Sequence, residues 1–238
     1  MNMIIKLFLL AFLSLCSGVL FAGQTLHERF VTALEQEDGK TMQILLDEAV
    51  RDAASTDWVS LFTAAQIARY ANRIEDAFFL YHSAQMRSRA EIMAFPPTDS
   101  SGAPAMRSAL KQQAGQVVNP MTIPHSKEFI VAVKRLGQWR PVFAKDFRPD
   151  WQFYADSSMH PAVAMEMTKR EHMASLEDLA WFLGNEKYLQ ALLTSQAYQM
   201  VSYEEQENPK RKAENDAAKK LMQDIERESG RQGFIGTR

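Results

Sequence analysis

Cysteine is nearly absent from this sequence: Cys16 is the single one among 238 residues, and it lies within the first 22. If that segment is removed, the mature chain has no thiol, which excludes disulfides, thiolate metal sites and cysteine nucleophiles. An excess of charge of one sign is also lacking, because 27 basic residues face 29 acidic ones. A nearly neutral chain has no overall attraction to nucleic acid, so we predict no nucleic-acid partner.

The first residues have the layout of a secretory signal peptide. Lys6 is the only charged residue among the first 27, an apolar run follows it, and small residues lie near Ala22. We predict cleavage after Ala22 and export to a bacterial periplasm, with no transmembrane span in the mature chain. A lipid anchor on Cys16 is the alternative, but a lipidated cysteine normally follows a small residue and this one follows Leu15.

Glycine and proline are scarce, at 10 and 9 residues, whereas helix-forming residues such as Ala, Leu, Met, Gln and Glu dominate. Apolar residues at helical spacing, with polar caps between them, predict a series of helices. The expected ranges are 25–36, 41–54, 58–70, 74–93, 104–118 and 126–138, after which helices return from about Val163. One of these is predicted to begin at a Ser175 cap and to end at Gly184, with a further helix from Asn185. Short turns favour antiparallel pairs, so we predict an all-α fold of helical hairpins, packed as a bundle or a short irregular solenoid.

Three segments are expected along the chain. They are the signal peptide over residues 1–22, a helical domain over 23–203 and a charged C-terminal helix or tail over 204–238. The last segment holds 8 acidic and 8 basic residues. We interpret it as a solvated helix with frayed ends.

One stretch, LFTAAQIARYANRIEDAFFLYHSAQ at 61–85, resembles a tetratricopeptide or Sel1-like helix pair. The resemblance implies that small residues bring two helices close together while an aromatic ring fills the wedge between them. The positions with these packing roles are Ala65, Ala68, Ala77, Tyr81 and Ala84. A weaker match to the same pattern lies at 178–196, and the terminal proline of the repeat is missing from both stretches. The resemblance therefore implies hairpin architecture and not a regular array.

A second resemblance concerns the stretches FFLYHSAQMRSR and ALKQQAGQVVNP. They look like a group of small secreted helical proteins that confer immunity to type VI secretion effectors, including antibacterial lipases. The resemblance implies a periplasmic binder whose partner is a secreted toxin and which blocks the toxin's active site. A periplasmic scaffold for envelope assembly is the alternative of the same broad class.

Aromatic residues are concentrated in QWRPVFAKDFRPDWQFY at 138–154, where two prolines oppose a helix. One interpretation is a connection whose rings attach it to the helical core. The other is a contact surface, because Trp, Tyr and Arg are enriched at binding hot spots. The partner-contacting candidates are Trp139, Arg140, Arg148, Trp151 and Tyr154.

A metal site is an alternative hypothesis for MHPAVAMEMTKREHM at 159–173. Thioether and imidazole groups suit Cu(I), and the candidate ligands are Met159, His160, Met165, Met167 and His172. Against it, methionine commonly fills gaps in helical cores, and Met165 and Met167 fall on different sides of a helix. We therefore predict no cofactor.

Motifs that would indicate catalysis are absent from the sequence, among them Gly-x-Ser-x-Gly, His-Glu-x-x-His and phosphate-binding loops. We predict a binding protein and not an enzyme, with no catalytic residues. Several arginines, including Arg87 and Arg89, would form a basic edge on the repeat-like hairpin. We interpret this edge as a solvated face paired with acidic residues such as Glu91, in preference to a site for an acidic partner.

Overall fold

A computed structural model of the chain describes residues 24–100 and 102–231, and within them it confirms the all-α prediction. The helices are α1 (Leu26–Glu35), α2 (Gly39–Arg51), α3 (Trp58–Tyr70), α4 (Ile74–Ala94), α5 (Ala103–Val118), α6 (Ser126–Gln138), α7 (Pro161–Gly184), α8 (Glu186–Gln199), α9 (Tyr203–Gln206) and α10 (Pro209–Ser229). None of these helices is long and apolar enough to cross a lipid bilayer. The predicted signal peptide, with Cys16, lies outside the described residues.

Polar caps determine where several helices begin. A Thr25 hydroxyl and the Glu28 carboxylate form a reciprocal capping box at the start of α1. Carboxylate and amide oxygens of Asp57 and Asn185 accept backbone N–H groups at the starts of α3 and α8. Asn72, with φ of 59°, makes the left-handed turn between α3 and α4, a conformation that Asn tolerates better than most residues.

The described chain separates into two compact units. The first comprises the residues up to Asn119 together with Trp139–Thr168. Its centre is the α3–α4 hairpin, against which α5 packs, while α1 and α2 cover α3. All five of the predicted packing positions on this hairpin are buried, each at most 2% exposed: Ala65, Ala68, Ala77, Tyr81 and Ala84. Small side chains let the two helices approach, and the Tyr81 ring packs edge-on against Phe62 at 6.0 Å between centroids.

The second unit comprises Pro120–Gln138 and the described residues from Lys169 to Arg231, so the predicted boundary at residue 203 falls inside it. Its core includes α8 and α10, which pack along each other. The expected solvated helix has a buried stripe, formed by Asn215, Ala218 and Met222. These residues recur at spacings of three and four, which places them on one helical face. The Tyr188 hydroxyl adds a 2.7 Å hydrogen bond to Glu226 of α10.

Candidate partner-binding surface

The chain between α6 and α7, residues 139–160, is here called the crossover segment. It is not α-helical, as the prolines predicted, and backbone hydrogen bonds hold it against the rest of the first unit. The Val142 N–H donates to the carbonyl oxygen of Ala54 at 2.7 Å, and the Tyr154 N–H donates to that of Pro96 at 2.9 Å. In the opposite direction, the Thr98 N–H donates to the backbone carbonyl oxygen of Gln152 at 3.0 Å. The crossover segment is therefore an ordered part of the fold.

Aromatic rings attach the same segment to the end of α4. The Phe95 ring lies 5.9 Å from that of Phe147 and 5.0 Å from that of Phe153, between centroids. The Trp151 indole N–H donates to the Phe95 carbonyl oxygen at 3.0 Å. Trp139 is only 7% exposed, and its ring packs edge-on against the ring of Phe79 on α4. Trp139 and Trp151 thus act as anchors of the segment.

An ion pair inside the unit reinforces this attachment. The Arg87 Nε lies 2.8 Å from a Glu91 carboxylate oxygen, and both residues are at most 4% exposed. This corrects the expectation of a solvated basic edge at these positions. The remaining guanidinium nitrogens donate to the carbonyl oxygens of Ala54, at 3.0 Å, and Val142, at 3.4 Å. The central guanidinium carbon of Arg87 also lies 4.8 Å from the centre of the Phe143 ring, within range of a cation–π contact.

Burial raises the pKa of Glu91 from its ordinary value to about 7. The Arg87 charge and a hydrogen bond from the Trp58 side chain act in the opposite direction, and the nearby Asp57 adds to the rise. Near neutral pH, the folded protein therefore contains comparable amounts of the protonated and the ionised forms of Glu91. At about pH 5 the folded protein holds a proton on Glu91 that the unfolded chain has largely released.

Glu91→Gln should abolish one component of the pH dependence of stability. The unfolded chain loses the Glu91 proton near pH 4.5 and the folded chain near pH 7, so folding weakens as the pH rises through that window. The variant should therefore gain about 2–3 kcal/mol relative to wild type between about pH 5 and about pH 8. Urea unfolding of both proteins measures this difference. Burial also lowers the pKa of His27, but this residue is present in both proteins, so its contribution cancels in the comparison. Parallel profiles would show that Glu91 stays ionised throughout.

The outer side of the crossover segment is exposed. Tyr154 is 55% and Val142 is 59% exposed, and the latter was not predicted as a contact residue. Arg140 and Arg148 are also exposed, and the Arg148 guanidinium lies 5.7 Å from the centre of the Phe95 ring. Of the five predicted contact residues, three therefore lie at the surface, Trp151 is half-buried and Trp139 is buried.

The Met/His stretch at 159–173, which holds the candidate metal ligands, does not direct all of its side chains to one side. Met165 is 3% exposed and Met167 is 37% exposed, so the two thioethers face different sides of α7. The His160 Nδ1 accepts the Ala162 N–H at 3.2 Å, at the start of that helix. Met159 and His172 are half-buried. Within residues 24–100 and 102–231, no group of three or more His, Cys, Asp or Glu residues is placed to hold a metal ion.

Comparisons of the chain with protein-family models, with curated proteins and with solved structures give no match. Function is therefore inferred from the chain's own residues. The crossover segment combines an anchored inner side with an exposed outer side that carries aromatic, aliphatic and cationic groups. That combination suits the recognition of another macromolecule's surface.

Proposed function

We propose that this protein binds another protein through the exposed side of the crossover segment. In its most specific form, the proposal is an exported immunity protein that binds a secreted antibacterial effector and covers its substrate entrance. Inhibition would be steric, so the binding residues need shape and anchoring contacts and not perturbed pKa values. The resemblance of two sequence stretches to such immunity proteins supports this specific form.

The attachment of the crossover segment is the observation that carries the proposal. Backbone hydrogen bonds from Val142 and Tyr154, with the Arg87–Glu91 pair behind them, order the segment in the free protein. A segment that is already ordered loses little conformational entropy when a partner binds. Its exposed Tyr154 and Arg148 are residue types in which binding energy is concentrated at interfaces.

Tyr154→Ala should weaken partner binding by about tenfold or more, because a tyrosine at the centre of an interface contributes at least that much. Partners would be captured with the tagged mature protein from periplasmic and secreted fractions of its own bacterium. The affinity of the captured partner is then measured separately for the wild-type protein and for the variant. Tyr203→Ala in the second unit, where the tyrosine is 75% exposed, is the matched control and should bind as wild type does.

The supporting outcome is a stoichiometric secreted hydrolase whose activity falls on binding and whose affinity drops for Tyr154→Ala alone. Capture of envelope-assembly proteins would replace the immunity proposal with a scaffold. Equal loss in both tyrosine variants, or no loss in either, would exclude the crossover segment as the contact surface.

A further inference from the structure

A separate groove lies between α4 and α5 in the first unit. It is open, with a volume of about 520 Å³. It is here called the basic groove. Its lining residues are Tyr81, Arg107, Ser108, Lys111, Gln112, Gly115, Gln116 and Asn119. Six of the eight come from α5, where they recur at the spacing of one helical face, and Asn119 directly follows that helix on the same face. Six of the eight lining residues fall within the stretches FFLYHSAQMRSR and ALKQQAGQVVNP, and none belongs to the proposed contact surface.

The groove carries positive charge without any negative charge. Arg107 and Lys111 line it, and α5 as a whole contains no Asp or Glu, although the chain has 29 acidic residues. The two cations stand four positions apart, so they are neighbours on the helix surface. Among the described residues, no carboxylate lies within ion-pair distance of either side chain. An anion entering the groove would therefore meet two cations that have no carboxylate partner within residues 24–100 and 102–231.

Arg107 is held in an environment that disfavours its charge. The side chain is half-buried, and its Nε donates to the neutral Ser88 hydroxyl at 3.1 Å. Burial lowers the pKa of Arg107, and the positive charge of nearby Arg89 lowers it further. A carboxylate bound beside Arg107 would compensate for both effects.

The floor of the groove is formed by a close contact between helices. A β-carbon at Gly115 would lie 2.7 Å from the Tyr81 hydroxyl oxygen and 3.1 Å from the Asn119 side-chain nitrogen. That hydroxyl donates to the Lys111 carbonyl oxygen at 3.4 Å and shares a hydrogen bond with Asn119. The absence of a side chain at residue 115 thus lets Tyr81 reach α5 and leaves the groove open above it.

The neutral residues indicate what kind of anion fits. Gln112 and Gln116 are exposed, and each amide has both a donor and an acceptor. That combination matches the C=O and N–H groups of a peptide backbone. A groove of this volume also exceeds what one inorganic ion fills and lies within the range of sites for larger ligands.

We propose that the basic groove binds an acidic polypeptide segment, with Arg107 and Lys111 contacting its side-chain carboxylates and Gln112 and Gln116 contacting its backbone. This inference rests on the proposed function in that it names the partner's chemistry, an exposed segment rich in Asp and Glu. It adds a second contact region to the crossover segment within the same unit.

The first test uses a short, terminally blocked fluorescent peptide rich in Glu and Asp, titrated with the full mature protein. Lys111→Gln should weaken its binding about fivefold and Arg107→Gln about tenfold, because Arg107 is the more buried of the two cations. Lys134→Gln removes an exposed mid-helix lysine from α6 and is the matched control, with no expected change. Circular dichroism establishes that each variant is folded.

Two further ligands separate a polypeptide site from a general anion site. The same peptide with every Glu and Asp replaced by the amide should bind at least tenfold more weakly, since it lacks the charges. Glutarate carries carboxylates without a peptide backbone and should also bind at least tenfold more weakly. Equal affinity for glutarate would overturn the assignment to polypeptide. A peptide affinity that is unchanged in Arg107→Gln and Lys111→Gln would overturn the site itself.

The captured partner provides the second arm of the test. If wild type captures a partner and the Arg107→Gln/Lys111→Gln double variant holds it equally well, the groove inference fails while the proposed function stands. If the acidic peptide binds in the groove but no partner protein is captured, the groove is upheld and the proposed function fails. Loss of partner affinity in the double variant, with Lys134→Gln unchanged, supports both.

Discussion

Arg87→Met should destabilise the first unit by about 3–5 kcal/mol at about pH 8, because it leaves the buried Glu91 carboxylate without its cation. The methionine side chain is shorter than the whole arginine side chain but fills most of the space of its aliphatic stem. The variant therefore removes charge and hydrogen bonds more than packing. The lost interactions include those to the carbonyl oxygens of Ala54 and Val142, which join two connecting segments to α4.

The size of this effect should depend on pH. At about pH 5 Glu91 is largely protonated in the folded protein, so the loss of Arg87 should cost less than at about pH 8. Urea unfolding at both pH values measures the difference. Arg89→Met on the exposed side of the same helix is the control and should change stability by less than about 1 kcal/mol. An equal cost for Arg87→Met at both pH values would contradict the assigned ionisation of Glu91.

Met222→Ala should destabilise the second unit by about 2–5 kcal/mol, because it opens a cavity between α10 and α8. Met222 is 1% exposed and belongs to the cluster that contains Phe182 and Tyr188. The expected result is a large change from a helix that is otherwise highly charged. Hydrogen exchange of the α8 and α10 amides measures it, since both helices should lose protection together.

The adjacent Gln223 provides the matched comparison. It is exposed on the same helix, so Gln223→Ala should change stability by no more than about 0.5 kcal/mol. If Met222→Ala and Gln223→Ala were equally mild, α10 would contribute little to the unit. The interpretation of residues 204–238 as a solvated tail would then stand.

Helix positions were predictable because their ends are encoded locally. Asp57 and Asn185 each precede a helix and cap it, and Gly184 ends α7 where the sequence predicted. The predicted cap at Ser175 is wrong, because that residue lies inside the continuous helix α7. Pro141 and Pro149 likewise indicated that the crossover segment is not helical. Each of these features depends on residues within a few positions of one another, so one sequence is enough to find them.

Burial of the Arg87–Glu91 pair could not be predicted in the same way. Opposite charges four positions apart are typical of an exposed helical face. Their burial is decided by Ala54 and by Val142, which lie 33 and 55 positions away from Arg87 along the chain. The basic groove escaped prediction for the same reason, since Tyr81 and Arg107 meet only when α4 packs against α5.

The buried stripe on α10 was present in the sequence and was missed. Ala218 and Met222 stand four positions apart among charged residues, which is the spacing of a narrow helical face. Equal numbers of acidic and basic residues led to the interpretation of a solvated helix. One methionine and one alanine are a weak pattern until Tyr188 and Phe182 are known to lie opposite them.

The contact between Gly115 and Tyr81 constrains the order in which this protein can evolve. Alanine at residue 115 would favour the helix by about 1 kcal/mol over glycine. Yet its β-carbon would lie 2.7 Å from the hydroxyl oxygen of a tyrosine that is itself 2% exposed. Loss of the hydroxyl at residue 81, for example by change to phenylalanine, removes the closest of these contacts and leaves the Asn119 side-chain nitrogen at 3.1 Å, where a small side-chain shift is enough. Substitutions at residues 81 and 115 should therefore occur in a fixed order in descendants of this chain, with the phenylalanine at residue 81 before the alanine at residue 115.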